Sequence, residues 1–174
     1  MLYPAIPSED KEKQLEEWIS RYSSAVMKLC FVYLADADLA KDATQDTFVK
    51  VWRKMEQFQG RRGQSAKAWI MQIAVNTCKD YKRTAWFKHI DMRKSIEELP
   101  EPAAPVSDSS RELFLDVMDL PPKNKQVILL HHFQNLNKSE TAQALGISHT
   151  TVSKRLKKAY ELLRYEPEGR GKDE

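Results

Sequence analysis

A basic, hydroxyl-rich segment near the end of the chain carries the residue types that bind nucleic acid. From His149 to Arg164 it has five basic residues and one acidic residue, a net charge of +4 with histidine neutral. Apolar residues from Val152 to Leu163 recur at helical spacing, which puts the cations on the opposite face. Lysine and arginine contact guanine edges in the major groove, and serine and threonine reach bases or phosphates. The alternative is a solvated helix face that binds nothing.

The residues that precede this segment predict a helix-turn-helix. Asn137 and Glu140, three residues apart, form a capping box that starts a helix. Gly146 stands where a helix ends in a left-handed residue, and Ser148 can cap the next helix. Packing of the apolar residues of the two helices would leave the basic face free to enter a major groove.

A second polar stripe, in the first half of the chain, combines cations with amide side chains. Its members stand four, three and four residues apart and share one helix face: Gln72, Asn76, Lys79 and Arg83. Between Arg61 and Lys94 there are nine basic and two acidic residues, a net charge of +7. Cations attract phosphates, nearby aromatic rings can stack on unpaired bases, and asparagine can read a base edge. The alternative is that the aromatic residues belong to the core, which we expect of Trp69.

The helix before this stripe is acidic in its first half. Residues on one face, away from its apolar side, are Asp42, Gln45, Asp46, Val49 and Arg53. Acidic residues suit a helix N-terminus but repel phosphates, so this face does not bind nucleic acid. A protein-docking surface and a merely solubilising face fit the spacing equally well.

Catalytic and metal-binding patterns are missing from the sequence. There is no GxSxG, Walker or HExxH motif, and His131 and His132 have no carboxylate at metal-ligand spacing. Cys30 and Cys78 stand far apart in apolar helical patterns, so we expect small buried hydrophobic residues. We therefore expect no enzyme activity, no metal, no cofactor and no small-molecule substrate.

The composition and the spacing of helical segments predict an all-α protein. The 174 residues are 41% hydrophobic and 30% charged with a net charge of +3, and contain no secretory signal or apolar run long enough to span a bilayer. We therefore expect a cytoplasmic location. Residues 95–110 contain three prolines and four serines and read as a linker, which is acidic and flexible. We expect two small helical domains, at residues 8–94 and 111–166.

Three segments together resemble the sigma factors of bacterial RNA polymerase, and more closely their extracytoplasmic-function (ECF) group. They are DATQDTFVKVW at 42–52, FQGRRGQSAKAWIMQIAVNTCKDYKR at 58–83 and LPPKNKQVILLHHFQNLNKSETAQALGISHTTVSKRLKKA at 120–159. The resemblance runs from about residue 18 to residue 164, in the family's order, with the linker between the two parts. It implies a helical bundle of sigma region 2 followed by the helix-turn-helix of region 4.

The resemblance also implies a role for each surface. The acidic helix would dock on the clamp of the largest polymerase subunit through Asp42, Gln45, Asp46, Val49, Trp52 and Arg53. The next loop and helix would bind the melted −10 element through Arg61, Arg62, Gln64, Ser65, Lys67, Gln72, Asn76, Lys79, Asp80 and Arg83. The last helix would read the −35 duplex through Ser148, His149, Thr150, Thr151, Ser153, Lys154, Arg155, Lys157 and Lys158.

The partners implied are core RNA polymerase, promoter DNA as duplex and as melted single strand, and an anti-sigma factor. Two other hypotheses stay open from the residues. One is a stand-alone helix-turn-helix regulator, which would have no need of the acidic face or of the single-strand stripe. The other is a protein-interaction module whose basic faces are merely solvated.

Overall fold

The structure is a computed structural model that describes residues 8–59, 65–83 and 108–164. These residues form seven α-helices, and no strand occurs among them. The N-terminal half contains α1 (Ser8–Leu34), α2 (Ala37–Gln59) and α3 (Ala66–Arg83). The C-terminal half contains α4 (Asp108–Met118), α5 (Pro122–Ile128), α6 (Lys138–Leu145) and α7 (His149–Leu163). The predicted all-α fold is confirmed.

The turn between α1 and α2 is built from two residues. Ala35 has a positive φ of 52°, and its N–H donates to the Phe31 carbonyl at 2.7 Å. The Asp36 carboxylate then accepts a hydrogen bond of 2.8 Å from the N–H of Leu39, which caps the first turn of α2. The helices reverse direction here, and α1, α2 and α3 pack on one another.

An aromatic cluster joins the three helices of the N-terminal half. The Trp18 ring lies edge-on to Phe58 at 5.6 Å and to Trp69 at 6.0 Å between centroids. Phe58 and Trp69 stack at 4.8 Å. α2 continues to Gln59 and so brings the Phe58 ring against the core. Burial of Trp69 agrees with the prediction.

The C-terminal half is assembled from shorter helices. α4 begins at Asp108, so residues 108–110 of the predicted linker are helical. Pro122 stands in the first turn of α5, where its missing N–H costs nothing. α5 runs on into a π-helical turn, Leu129–Phe133, after which Asn135 has a positive φ of 55°. Three buried residues of α7, Val152, Leu156 and Ala159, form its predicted apolar face.

The two halves contact each other. α3 packs against α6, and α1 packs against α5. On α3, Met71, Ala74 and Val75 are fully buried in addition to Trp69 and Cys78, which the sequence places in the core. α3 is therefore covered both by its own half and by the C-terminal half. Cys30 and Cys78 are both buried, as expected, and neither forms a disulfide. No helix of the described part is long and apolar enough to cross a membrane.

Candidate nucleic-acid and docking surfaces

The helix-turn-helix is held by hydrogen bonds at both ends of α6. Asn137 Oδ1 accepts from the Glu140 N–H at 2.8 Å, and Glu140 Oε2 accepts from the Asn137 N–H at 2.9 Å. At the other end Gly146 is left-handed, with φ 66° and ψ 36°. The Ile147 N–H then donates to the Ala142 carbonyl at 3.0 Å. The capping box and the glycine turn are as the sequence predicts, and they set where α7 starts.

The first residues of α7 divide into capping residues and exposed residues. Ser148 Oγ accepts a hydrogen bond from the Thr151 N–H at 3.1 Å and lies 2.8 Å from Thr151 Oγ1. These two hydroxyls are therefore committed to the helix N-terminus. Of the other predicted −35 residues of α7, Ser153 is half-buried, and the exposed ones are His149, Thr150, Lys154, Lys157 and Lys158. Lys158 lies 4.0 Å from Glu161, whereas no ion pair involves Lys154 or Lys157 within the described part of the chain. α7 thus presents a cationic face suited to phosphates and base edges.

Arg155 differs from the other basic residues of α7. It is half-buried, and its carbonyl accepts a hydrogen bond of 3.1 Å from Asn124 of α5. Burial raises the pKa of the Tyr33 hydroxyl, in α1, and the charge of Arg155 lowers it. Arg155 is therefore less exposed than Lys154, Lys157 and Lys158.

The predicted stripe on α3 is exposed over most of its length. Asn76, Lys79 and Arg83 are exposed, and Gln72 is half-buried. Asp80 is exposed as well and pairs with Lys50 at 3.3 Å and with Arg83 at 3.7 Å. Asp80 therefore holds Lys50 beside the stripe and pairs with Arg83 within the stripe. Asn76 is uncharged, and Lys79 makes no ion pair within residues 8–59, 65–83 and 108–164.

The start of α3 carries the other predicted −10 residues. Ser65 Oγ accepts a hydrogen bond of 3.0 Å from the Ala68 N–H, so Ser65 is the N-cap that the sequence indicates. Lys67 is half-buried; burial lowers its pKa, and the nearby charge of Glu140 in α6 raises it. Lys67 therefore faces the C-terminal half. Arg61, Arg62 and Gln64 lie outside the described residues.

The exposed face of α2 holds the predicted docking residues together. Its exposed members are Asp42, Gln45, Asp46, Val49 and Arg53. Val49 is an apolar side chain that is 46% exposed among polar neighbours, as expected where another protein covers the face. Trp52 is half-buried, and the Lys11 ammonium lies 4.3 Å from its ring centroid.

Three contacts between α2 and α3 were not anticipated from the sequence. Tyr81 Oη donates a hydrogen bond of 2.6 Å to Asp46 Oδ2. Lys50 Nζ donates to Thr77 Oγ1 at 3.2 Å and lies 3.3 Å from Asp80. A spacing of 27 or more residues gives no signal for any of these pairs, because side chains that far apart meet only through the packing of the helices. These contacts fix the acidic face and the α3 stripe relative to each other.

The described residues contain no group of three histidine, cysteine, aspartate or glutamate side chains placed to hold a metal ion. The polar groups on the three surfaces are instead arranged along exposed helix faces.

Both halves of the chain match family models built from known proteins. The family model for Sigma-70 region 2 matches residues 18–88, and that for Sigma-70, region 4 matches residues 118–165. The RNA polymerase sigma-E factor of Streptomyces avermitilis is 30% identical over 169 residues, covering 92% of this chain and 88% of the relative. The ECF RNA polymerase sigma-E factor of Haemophilus influenzae is 28% identical over 160 residues, covering 83% of this chain and 82% of the relative.

Two solved structures share the fold. The sigma factor RpoE of Bartonella quintana, solved with the anti-sigma factor NepR, matches with a TM-score of 0.65 and 21% identity, covering 87% of this chain and 95% of that one. CnrH, solved with the cytosolic domain of CnrY, matches with a TM-score of 0.62 and 19% identity, covering 88% of this chain and 86% of that one.

Proposed function

The chain belongs to the sigma-70 family of RNA polymerase sigma factors, in the ECF group, and on that premise we propose how its three surfaces divide the work of promoter recognition. It is a promoter-specificity subunit that binds core RNA polymerase and promoter DNA. It is a DNA-recognition subunit and not an enzyme on its own, because the polymerase carries out the bond chemistry. Its site of action is the cytoplasm, where the polymerase works.

The α2 face is the polymerase-docking surface. Exposed carboxylates at Asp42 and Asp46 offer negative charge, and Val49 offers an apolar contact at the centre of the face. Trp52 adds an aromatic ring at the edge of this face. A charged rim around an apolar centre fits a protein partner better than it fits a phosphate backbone.

The α3 stripe engages the −10 element after the strands separate. Asn76 supplies a donor and an acceptor to one base, and Lys79 and Arg83 attract the phosphates of the single strand. A base flipped out of the stack costs a few kcal/mol, which its capture by the protein offsets. The capturing residues would include Arg61, Arg62, Gln64 and the N-cap Ser65.

The α7 face reads the −35 element as duplex. Thr150, Lys154 and Lys157 are exposed behind a capped turn, the geometry in which a recognition helix enters a major groove. Ser148 and Thr151 act by fixing the helix start. Arg155 and Lys67 are half-buried, so each is less accessible to DNA than the exposed cations of α7.

The contact between α2 and α3 favours this proposal over the two other hypotheses, a stand-alone regulator and a protein-interaction module. The hydrogen bond from Tyr81 to Asp46 and the ion pair of Lys50 with Asp80 hold an acidic face and a nucleic-acid stripe side by side. A stand-alone helix-turn-helix regulator needs neither surface. Docking of α2 on the polymerase would place α3 at the opened strand and raise the effective concentration of the α7 contact.

An anti-sigma factor is the expected inhibitor. One of the solved structures described above is a complex of the sigma factor RpoE with the anti-sigma factor NepR. We propose that such a partner holds this chain inactive until a signal releases it.

The deciding experiment is transcription with purified core polymerase, this protein and genomic DNA of its own source, followed by sequencing of RNA 5′ ends. Discrete transcription start sites preceded by a shared two-block DNA motif establish the sigma role. Starts that do not depend on the protein, together with no binding to core polymerase, would favour the stand-alone regulator.

Three single variants assign the surfaces in the same assay. Asp46→Ala should weaken binding to core polymerase, Asn76→Ala should slow open-complex formation at unchanged polymerase binding, and Lys157→Ala should weaken promoter binding. The salt dependence of promoter binding should fall by about one unit of slope in Lys157→Ala. Glu12→Ala, at an exposed position of α1, is the matched control and should behave as wild type.

A further inference from the structure

Lys11, near the start of α1, contacts two residues of α2. Its ammonium lies 4.3 Å from the centroid of the Trp52 ring and 3.6 Å from Glu56 Oε1. Trp52 and Glu56 stand four residues apart, so they are neighbours on one face of α2. A single lysine of α1 therefore joins an aromatic ring and a carboxylate of the next helix.

The place of Lys11 follows from the packing of α1. Leu15 and Trp18 stand four and seven residues after it, and both pack in or against the core. Lys11 thus continues the core-facing side of α1, and its side chain is only 15% exposed. A lysine at such a place lays its aliphatic stem along apolar surface and keeps its ammonium at the edge. Here the ammonium ends over the face of Trp52.

Both partners of Lys11 continue the α2 face that carries the proposed docking residues. Trp52 and Glu56 stand three and seven residues after the exposed Val49. Trp52 is half-buried and packs against the core, whereas Glu56 is exposed. A tryptophan at a protein interface contributes most when its orientation is set before the partner arrives. Lys11 stands where it can set that orientation.

We propose that Lys11 is a positioning residue for polymerase docking, which holds the Trp52 ring in the orientation that the polymerase binds. The inference rests on the proposed function of the α2 face. A cation is attracted to the face of a tryptophan ring, and the ion pair with Glu56 fixes the ammonium at a second point. Ion pairs at the surface add little to the stability of a fold, so the main effect of Lys11 is on the motion of the ring.

Charge alone predicts an effect of the opposite sign. The docking face is acidic at Asp42 and Asp46, which suits a partner of positive charge. Removal of the Lys11 charge leaves Glu56 unpaired and makes this face more negative, which would tighten the binding of such a partner. Loss of the ring orientation weakens binding instead. The direction of the change therefore separates positioning from simple charge.

The test measures the Kd of the full chain for purified core polymerase. Lys11→Met keeps an apolar stem and should raise this Kd about two- to fivefold, the range of a surface cation–π contact. Lys11→Arg should bind as wild type, because a guanidinium also stacks on an aromatic ring and pairs with a carboxylate. The matched control is Lys13→Met, which removes the same charge at an exposed position of α1 and should not weaken binding.

A second background links the effect to the ring. In Trp52→Leu chains, adding Lys11→Met should cause no further loss of affinity, because no ring remains to be held. Unchanged or tighter binding by the single variant Lys11→Met would overturn the proposal. Equal weakening by Lys11→Met and Lys13→Met would do the same, as would a loss that persists in full beside Trp52→Leu.

Fluorine NMR of the free chain labelled with 5-fluorotryptophan examines the ring without polymerase. The chain has four tryptophans, and the Trp52 signal is the one that Trp52→Leu removes. Lys11→Met should move this signal and increase its shift between H2O and D2O, because the face of the ring is uncovered. Lys11→Arg and Lys13→Met should leave both quantities as in wild type.

The two measurements fail separately. A wild-type chain that does not bind core polymerase would contradict the proposed docking function, whatever the spectra show. An equal solvent isotope shift of Trp52 in Lys11→Met and wild type would contradict the positioning role of Lys11, even where wild type binds polymerase tightly.

Discussion

The N-terminal half (α1–α3) and the C-terminal half (α4–α7) hold their functional helices in place by different means. In the N-terminal half, the rings of Trp18, Phe58 and Trp69 meet from three helices. Side-chain bonds between α2 and α3 then align the docking face with the −10 stripe. All of these contacts join different helices, and all except that of Phe58 with Trp69 join residues 27 or more positions apart.

In the C-terminal half, local hydrogen bonds position the recognition helix. Asn137 and Glu140 close a capping box, Gly146 ends α6, and Ser148 begins α7. All four lie within twelve residues of one another. A helix surface can thus be held in place either by core contacts between different helices or by capping hydrogen bonds at the ends of its own helix. The two kinds of contact respond differently to substitution.

The largest expected effect is in the N-terminal core. Trp69→Ala should lower the free energy of unfolding by about 3–5 kcal/mol, because it removes a buried ring and leaves a cavity. Urea unfolding followed by circular dichroism measures the loss. Leu162→Ala, at a side chain that is 46% exposed, is the control and should change stability by less than about 0.5 kcal/mol. Similar losses in both variants would contradict the aromatic core.

A smaller effect is expected at the turn of the helix-turn-helix. Gly146→Ala should lower the free energy of unfolding by about 1–2 kcal/mol, because φ is 66° and a side chain disfavours the left-handed region. An added Cβ meets nothing within 4 Å, so the cost is one of backbone conformation and not of packing. Gly146→Asn should lose less, since asparagine tolerates this conformation. Equal stability of the alanine variant and wild type in urea unfolding would show that the turn is not strained.

The capping box should contribute about 1 kcal/mol to the free energy of unfolding. Asn137→Ala removes the acceptor of the Glu140 N–H and frees a donor at the helix start. Asn137→Ser keeps an acceptor and should restore most of the stability measured by urea unfolding. The affinity for −35 duplex should fall in parallel with stability in the alanine variant. A stability loss without any change in duplex affinity would mean that α6 does not position α7.

The smallest effect on stability is expected for the bond between the docking face and the −10 stripe. Tyr81→Phe should cost less than about 1 kcal/mol, because Asp46 is exposed and water replaces the donor. A double-mutant cycle with Asp46→Asn should still show coupling in the free energy of unfolding. The absence of coupling would indicate that the two surfaces of the N-terminal half are independent.

The sequence predicted the C-terminal half well because its signals are local. The capping box, the glycine turn and the buried face of α7 all follow from spacings of a few residues. The roles of its residues were harder to predict: Arg155 stands in a basic run with Lys154 and Lys157, yet it is half-buried while they are exposed. Only the packing of the helices distinguishes them.

The N-terminal half was predicted less completely, because its determinants are distant in sequence. The sequence identified Trp69 as a core residue of α3 but gave no sign that Met71, Ala74 and Val75 are buried as well, since α6 packs on α3 from the other half. Polar periodicity found the stripe of Asn76 and Lys79 but gave no sign that Lys50 and Asp80 align it.

The π-helical turn at Leu129–Phe133 has a consequence for the history of the family. A π-turn accommodates one more residue than an α-turn, and this one is the last turn of its helix. Alignments that place relatives beside this chain should therefore open a one-residue gap near His131 in those whose helix ends in a regular α-turn. Deleting one residue there should convert the π-turn into an α-turn and leave α6 packed on α3.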